Sequence, residues 1–311
     1  MAFYIKNGMP THGTPKLSRR EHERIMRKEL PKFWAPGGMY HEVERNRMPF
    51  LAAMKAGMKP VYRHLLPSEG EILVHGAGRG FEREIFPPEL PNSRIMFSDL
   101  HEDSLREIER KYPGARTKPG SSFELPFEAD RFAAVTSLDH LDVFQEHHLP
   151  RVIGEARRVL RPGGILLATQ SSLPSLQYWS KDPDAILRQR DSGKGASDRL
   201  VKDVHDRYTK AVMGAMRKGG LVDVQMQPIR GIYVGPREPR HLERLSKVPI
   251  SYDGLLALIA DRGNAMPTLL TEENLRKLGI PPLPVLNARL GNPLAEIYLS
   301  YVIHGRKPAS G

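Results

Sequence analysis

Cysteine is absent from this 311-residue chain. Its absence excludes disulfide staples and thiolate metal sites, and with them any mechanism that runs through a cysteine nucleophile. Aromatic side chains are sparse, at 7% of residues with two tryptophans. No apolar run approaches the roughly 18 residues that a membrane-spanning helix requires. The opening residues, Met1-Ala-Phe-Tyr-Ile-Lys-Asn-Gly8, hold no hydrophobic stretch of signal-peptide length. These absences lead us to expect a cytoplasmic location. Acidic residues are also in the minority, 36 against 47 Lys and Arg, for a net charge of +11. The excess is concentrated: residues 16–32 carry +4, residues 188–218 carry +5 and residues 230–247 carry +3. A basic face attracts nucleic acid, anionic headgroups or an acidic substrate, although a merely solvated surface is the plainer reading. The stretch from Lys16 to Lys28 contains no Phe, Tyr or Trp, which leaves base stacking little to work with.

At 40% hydrophobic content the chain can bury a large core. Its most informative stretch is Glu71-Ile-Leu-Val-His-Gly-Ala-Gly-Arg-Gly80. A short apolar run stops at three alternating glycines, which reads as a buried parallel strand ending in a tight turn close to a ligand. Glycine suits such a turn because it tolerates positive φ and has no Cβ to block an approach. The pattern is Gly-x-Gly-x-Gly, with Phe81 where a dinucleotide fingerprint would place its third glycine. A second apolar run, Ile95-Met-Phe97, ends in Ser98-Asp99-Leu100. An acid at the tip of a second strand is placed to accept hydrogen bonds from a ribose diol. Asp99 could alternatively cap the helix that starts near Glu102.

Two further blocks follow in order: Gly120-Ser-Ser-Phe-Glu-Leu-Pro-Phe127, running into Asp130–Thr136, and Glu155-Ala-Arg-Arg-Val-Leu-Arg-Pro-Gly-Gly-Ile165, running into Leu166–Thr169. With these four blocks the chain resembles the class I S-adenosylmethionine-dependent methyltransferases, in particular those with a methyltransferase-11-like domain. The resemblance spans about residues 70–170. It implies a Rossmann-like α/β fold, with a seven-stranded sheet that is mostly parallel and has an antiparallel last strand. It also implies S-adenosyl-L-methionine as cofactor. Gly76, Ala77, Gly78 and Gly80 would line its methionine part, and Asp99, followed by Leu100, would hold the ribose. Ser121, Ser122 and Phe123 would flank the adenine, with Leu138 flooring the pocket. Two positions depart from the family. The acid that usually ends the first strand is replaced by Val74, followed by His75, and the Asp that often meets the adenine amine is replaced by Ser121. Glu71 or Glu82 would be the acids nearest in sequence to make good the first loss.

Along the chain, residues 1–17 read as loosely ordered and 18–30 as a polar helix capped by Ser18. After the break at Pro36-Gly-Gly38, the residues Met48, Leu51, Met54, Met58, Val61 and Leu65 draw one apolar helical stripe, with Pro60 expected to kink or divide it. The stripe packs on the sheet, lies over the cofactor mouth, or does both. We therefore expect residues 1–66 to form a helical extension. Residues 67–230 then form the core, with an insertion at 171–204 around Trp179 and Asp182-Pro183. Residues 231–293 form a second insertion, with small helices near Leu255–Asp261 and after Thr271 and the Pro281–Pro284 run. Residues 294–311 hold the final strand and tail. A helix from about Val204 to Lys218 should stop at Gly219-Gly220, and Leu221–Ile229 should form a strand.

Methyl transfer from a sulfonium is an in-line displacement, in which alignment does most of the work. A base is needed only when the acceptor must lose a proton. His140, in the turn after the fourth strand, is the candidate for that base. Arg45 and Arg47 are candidates to reach the cofactor carboxylate. His147 and His148 are neighbours on an expected helix and do not share a face, so we expect no metal site there. The turn Ser137-Leu-Asp-His140 lacks the Asn-Pro-Pro-Tyr type of block, which disfavours adenine N6 as acceptor. Without cysteine, attack on a pyrimidine C6 before C5 methylation is excluded. The leading reading is methyl transfer to a small-molecule O, N or C nucleophile. The alternatives are an RNA or protein methyltransferase using the basic segments, and a non-catalytic scaffold with a degenerate cofactor site.

Overall fold

In the computed structural model, the described residues are 16–34, 48–171, 208–234, 268–271 and 294–309. Helix α1 (Arg19–Trp34) starts where expected. The Ser18 backbone N–H and hydroxyl both donate to Glu21, and the Glu21 N–H donates back to Ser18 Oγ, so a capping box closes the first turn. Helix α2 (Met48–Leu65) carries Pro60 within it. Pro36–Gly38, Arg45 and Arg47 lie outside the described residues.

The apolar runs then become strands β1 (Ile72–His75), β2 (Ile95–Asp99), β3 (Arg116–Pro119), β4 (Phe132–Leu138) and β5 (Leu160–Ser171). Between them lie α3 (Glu102–Lys111) and α4 (Leu149–Val159). All five strands pair in parallel. A parallel sheet covered on both faces explains why β1 is apolar without alternation. Ile72 and Val74 pack with Met58, Val61 and Tyr62 of α2 and Leu105 and Ile108 of α3. Leu73 faces the other way, joining Val152, Ile153 and Ala156 of α4 and Met26 of α1. Period-two side-chain alternation thus feeds two separate cores from one short strand. The Pro162-Gly-Gly164 turn is absorbed into β5 as a register irregularity opposite β4.

A fifth helix, α5 at 208–218, leads into β6 (Val222–Val234) through Gly219 and Gly220. Strands β7 (Thr268–Thr271) and β8 (Leu294–Arg306) complete a sheet ordered β3-β2-β1-β4-β5-β8-β6-β7. β8 runs antiparallel to both β5 and β6, so β6 keeps the direction of the first five strands. These are the seven strands expected, with the last one reversed. β7 adds an eighth at the edge, antiparallel to β6. Residues 231–234 and 268–271, expected to belong to an insertion, are therefore partly built into the sheet. Thr268-Leu-Leu-Thr271 is four residues long, too short for its periodicity to show. The segment 172–207, the helices expected near 255–261 and after Thr271, and the proline run at 281–284 lie outside the described residues. Among those described, no helix is long and apolar enough to cross a membrane.

Candidate functional site

The glycines after β1 do what their spacing suggests. Gly76, Gly78 and Gly80 have φ of 68°, 49° and 74°, in the left-handed region that other residues reach only with strain. The turn is tied to the tip of β2. Gly76 N and Ala77 N both donate to the Ser98 carbonyl, at 2.9 and 3.1 Å. Gly78 N donates to Asp99 Oδ2 at 2.9 Å, and His101 N donates to Asp99 Oδ1 at 2.9 Å. Asp99 therefore braces the glycine turn against the start of α3. It is not the helix cap, since His101 holds that position without a side-chain bond. Each carboxylate oxygen has lone pairs beyond the one it uses here, so a diol can be bound without breaking the brace. The neighbouring Leu100 packs against the α4-side core.

His140 stands in the turn after β4, two residues past Leu138. A Cβ at Gly76 would lie 2.2 Å from its ring, so glycine at this position makes room for His140 as well as for the turn. The imidazole contacts His75 edge-on at 4.9 Å and Phe144 at 5.1 Å, and its Nε2 lies 2.8 Å from Ser122 Oγ. Burial, with His75 alongside, pushes its pKa down to about 3. Packed against Gly76, His75 and Phe144, with Ser122 Oγ at its Nε2, the half-buried imidazole fills the space over the turn. His75, buried at the strand end, is likewise pushed down by burial to about 4.

The three residues expected at the adenine are brought together with a partner that the sequence did not announce. Ser121 Oγ donates to Glu23 Oε1 of α1 at 2.5 Å. Arg19 of the same helix bonds both Glu23 and Glu124 and lies over the Phe123 ring. Helix α1 thus straps the loop after β3. His22 is buried beside Phe123, Phe144 and His148 at ring distances of 5.0–5.7 Å. Both its ring nitrogens have no hydrogen-bond partner among the described residues. Burial lowers its pKa to about 4. His147 and His148 sit on a 3-10 turn before α4 instead of on the helix, with rings 3.9 Å apart. No cluster able to hold a metal occurs among the described residues. Leu138 ends β4, half-buried against the α2-side core.

The two acids proposed to replace the one missing at Val74 part company. Val74 itself is wholly core. Glu71 lies at the opposite end of β1 and is held by Arg116 and Arg131, so it faces away from the turn. Glu82 follows the last glycine and is buried. Its Oε1 accepts from the Tyr62 hydroxyl at 2.9 Å, and that hydroxyl lies 2.8 Å from Thr169 Oγ1. Burial pushes Glu82 up to about 7. Sequence reasoning passed over Tyr62, though it is the polar tip on the stripe that includes Met58 and Val61. Among the cations of residues 16–32, Arg20, Arg24, Arg27 and Lys28 are exposed; the segments 188–207 and 235–247 lie outside the described residues.

The turn and the braced carboxylate suit an adenosine-bearing ligand, which needs a backbone cradle and a diol acceptor. Comparison with known proteins agrees. Residues 72–164 match the family model described as a methyltransferase domain. The erythromycin 3''-O-methyltransferase of Saccharopolyspora erythraea is 28% identical over 213 residues, covering 66% of this chain and 65% of that protein. The ubiquinone/menaquinone biosynthesis C-methyltransferase of Paracoccus denitrificans is 30% identical over 124 residues, covering 37% of this chain and 49% of that protein. The chain thus spans about two-thirds of one relative and half of the other. A solved SAM-dependent methyltransferase from Archaeoglobus fulgidus matches over 83% of this chain and 94% of its own, at 15% identity and a TM-score of 0.43.

Proposed function

Residues 72–164 match the family model of a methyltransferase domain, and from this we propose that the chain is a class I S-adenosylmethionine-dependent methyltransferase that transfers a methyl group from S-adenosylmethionine to a small-molecule O, N or C nucleophile. The observation that carries the proposal is the link from Gly78 N to the Asp99 carboxylate. It joins the glycine turn to an acid at the next strand tip, at the carboxyl edge where open α/β sheets bind ligands. One relative is named for O-methylation of erythromycin and the other for C-methylation in quinone biosynthesis, which supports a small-molecule acceptor.

When bound, S-adenosylmethionine supplies a methyl group on a positively charged sulfur. In this reading Asp99 accepts from the ribose hydroxyls, the backbone of residues 76–80 approaches the methionine part, and Ser121, Ser122 and Phe123 border the adenine. The chain contributes alignment and exclusion of water more than proton transfer. His140 is not assigned as a base, because its half-buried imidazole already meets Ser122 Oγ at Nε2 and desolvation lowers its basicity.

The test is calorimetric titration of the full chain with S-adenosylmethionine, followed by transfer of labelled methyl to hydroxylated, amine and quinol acceptors. Micromolar binding is expected, and Asp99→Ala should weaken it by about 100-fold, since removing a charged acceptor costs roughly 1.5–3 kcal/mol and leaves the Gly78 N–H unpaired. Undetectable binding by the unaltered chain, or an unchanged affinity in Asp99→Ala, overturns the proposal.

A further inference from the structure

Among the described residues Glu82 is the one acid that is fully buried. It is the second residue of the 3-10 turn Phe81–Glu84, directly after Gly80, and only 2% exposed. Three elements close on it. Tyr62 comes from α2, Thr169 from the end of β5, and Asp139, at the end of β4, adds a second negative charge nearby. Tyr62 has one proton and gives it to Glu82, so the Thr169 hydroxyl must donate to the tyrosine oxygen. The hydroxyls are thus aligned toward the carboxylate, an arrangement suited to an ionised acid.

What is missing is a cation. The basic residues around this turn are committed elsewhere. Arg79 pairs with Glu107, Arg83 bonds Asn92 and the Leu90 carbonyl, and Lys55 and Lys111 both hold Glu84, two residues further on. Among the described residues none pairs with Glu82. A buried carboxylate without a positive partner is costly. The turn therefore provides two lysines for its half-exposed acid and none for its buried one.

We propose that Glu82, supported by Tyr62 and Thr169, is the acceptor for a positively charged group of the methyl donor, taking the place of the acid that Val74 does not provide. The inference rests on the proposed function and deepens it. The donor carries two cations, an α-ammonium and a sulfonium, and its demethylated product carries only the first. Partnering by either cation stabilises the ionised carboxylate, so a proton leaves Glu82 as the ligand binds.

The experiment is calorimetric titration at pH 7 in two buffers of different ionisation enthalpy, with S-adenosylmethionine, S-adenosylhomocysteine and adenosine as probes. About 0.5 proton should be released per donor bound, because an acid titrating near this pH is half protonated beforehand. Release with both the donor and its product assigns the α-ammonium; release with the donor alone assigns the sulfonium. Glu82→Gln keeps the shape and should abolish the release, weaken donor binding about 10-fold and leave adenosine binding unchanged. Its thermal midpoint at pH 7 should equal or exceed that of the unaltered chain, which confirms folding. Donor binding with no proton release, or release that persists in Glu82→Gln, overturns the inference and leaves the proposed function standing. Failure of the unaltered chain to bind the donor at all overturns both.

Discussion

Glu71 and Glu82 stand at opposite ends of β1 and have opposite electrostatic fates. Glu71 precedes the strand, where Arg116 and Arg131 reach it from β3 and from the residue before β4, respectively. The Arg131 hydrogen bond outweighs partial burial, with Arg116 adding to it, and holds Glu71 below the usual carboxylate range. Glu82 follows the glycine turn, meets a hydroxyl instead of a guanidinium, and is driven upward by burial to about 7. Both carboxylates flank one four-residue strand. The difference shows that the amino end of this sheet is built for stability, while its carboxyl end keeps a carboxylate that costs free energy to ionise. Such a cost persists where a ligand offsets it.

The contrast has consequences for stability, and the largest concerns pH. An acid whose folded pKa is raised binds more protons in the native state, so stability falls as pH rises from the unfolded value near 4.5 toward 7. The difference in denaturant stability between Glu82→Gln and the unaltered ligand-free chain should shift in favour of the variant by on the order of 3 kcal/mol across that window, given about 1.36 kcal/mol per pKa unit. The buried histidines, held low by burial, act in the opposite sense in both proteins and cancel in this difference; a difference that stays constant with pH would remove the contrast.

Tyr62→Phe comes next. Loss of the hydroxyl leaves Glu82 with a weaker claim to its charge, so stability at pH 7 should drop by about 1–2 kcal/mol. The pH window should extend upward. A window that moves downward would mean that the tyrosine opposes ionisation.

Glu71→Gln probes the other end. Its ion pairs are about a third exposed, so the loss should be about 1 kcal/mol or less. A depressed acid contributes stability above its unfolded pKa and loses it as pH falls through the folded value. The effect should therefore be present at pH 7 and disappear below about pH 4. Affinity for S-adenosylmethionine should not change, and a tenfold loss would show that the two ends are coupled.

The smallest effect is expected at Ser121→Ala. Glu23 resembles Glu71: burial raises it, but Ser121 and Arg19 hydrogen bonds hold it low. Removing the hydroxyl should cost about 0.5–1 kcal/mol and speed proteolysis near α1. Protection identical to that of the unaltered chain would show that the strap does not depend on this bond.

Much of the framework was legible from local patterns. Ile72–Val74 reads as a buried strand because an unbroken apolar run has one economical fate in a parallel sheet. Gly76, Gly78 and Gly80 read as a left-handed turn because other residues resist positive φ. Ser18 with Glu21 reads as a helix start because both groups lie within one turn. Asp99 was singled out by its distance from the glycines, yet its alternative role as a cap could be set aside only once Gly78 N and His101 N were seen to share its two oxygens. The sequence places His140 in the turn after β4, while its environment is fixed by Gly76 and His75 from another strand. Strand β7 escaped notice because four residues carry no readable period.

The chain's own order of residues determined the secondary elements, the sequence of strands and the glycine corner, since all of these follow from preferences acting over a few neighbouring residues. Only the tertiary structure decided which acids meet cations, what surrounds each histidine, and that α1 closes on Ser121. Ionisation and docking depend on what lies within a few ångströms in space. For Glu82 and Tyr62 those neighbours are 20 residues apart in the chain, and for Tyr62 and Thr169 they are 107 apart.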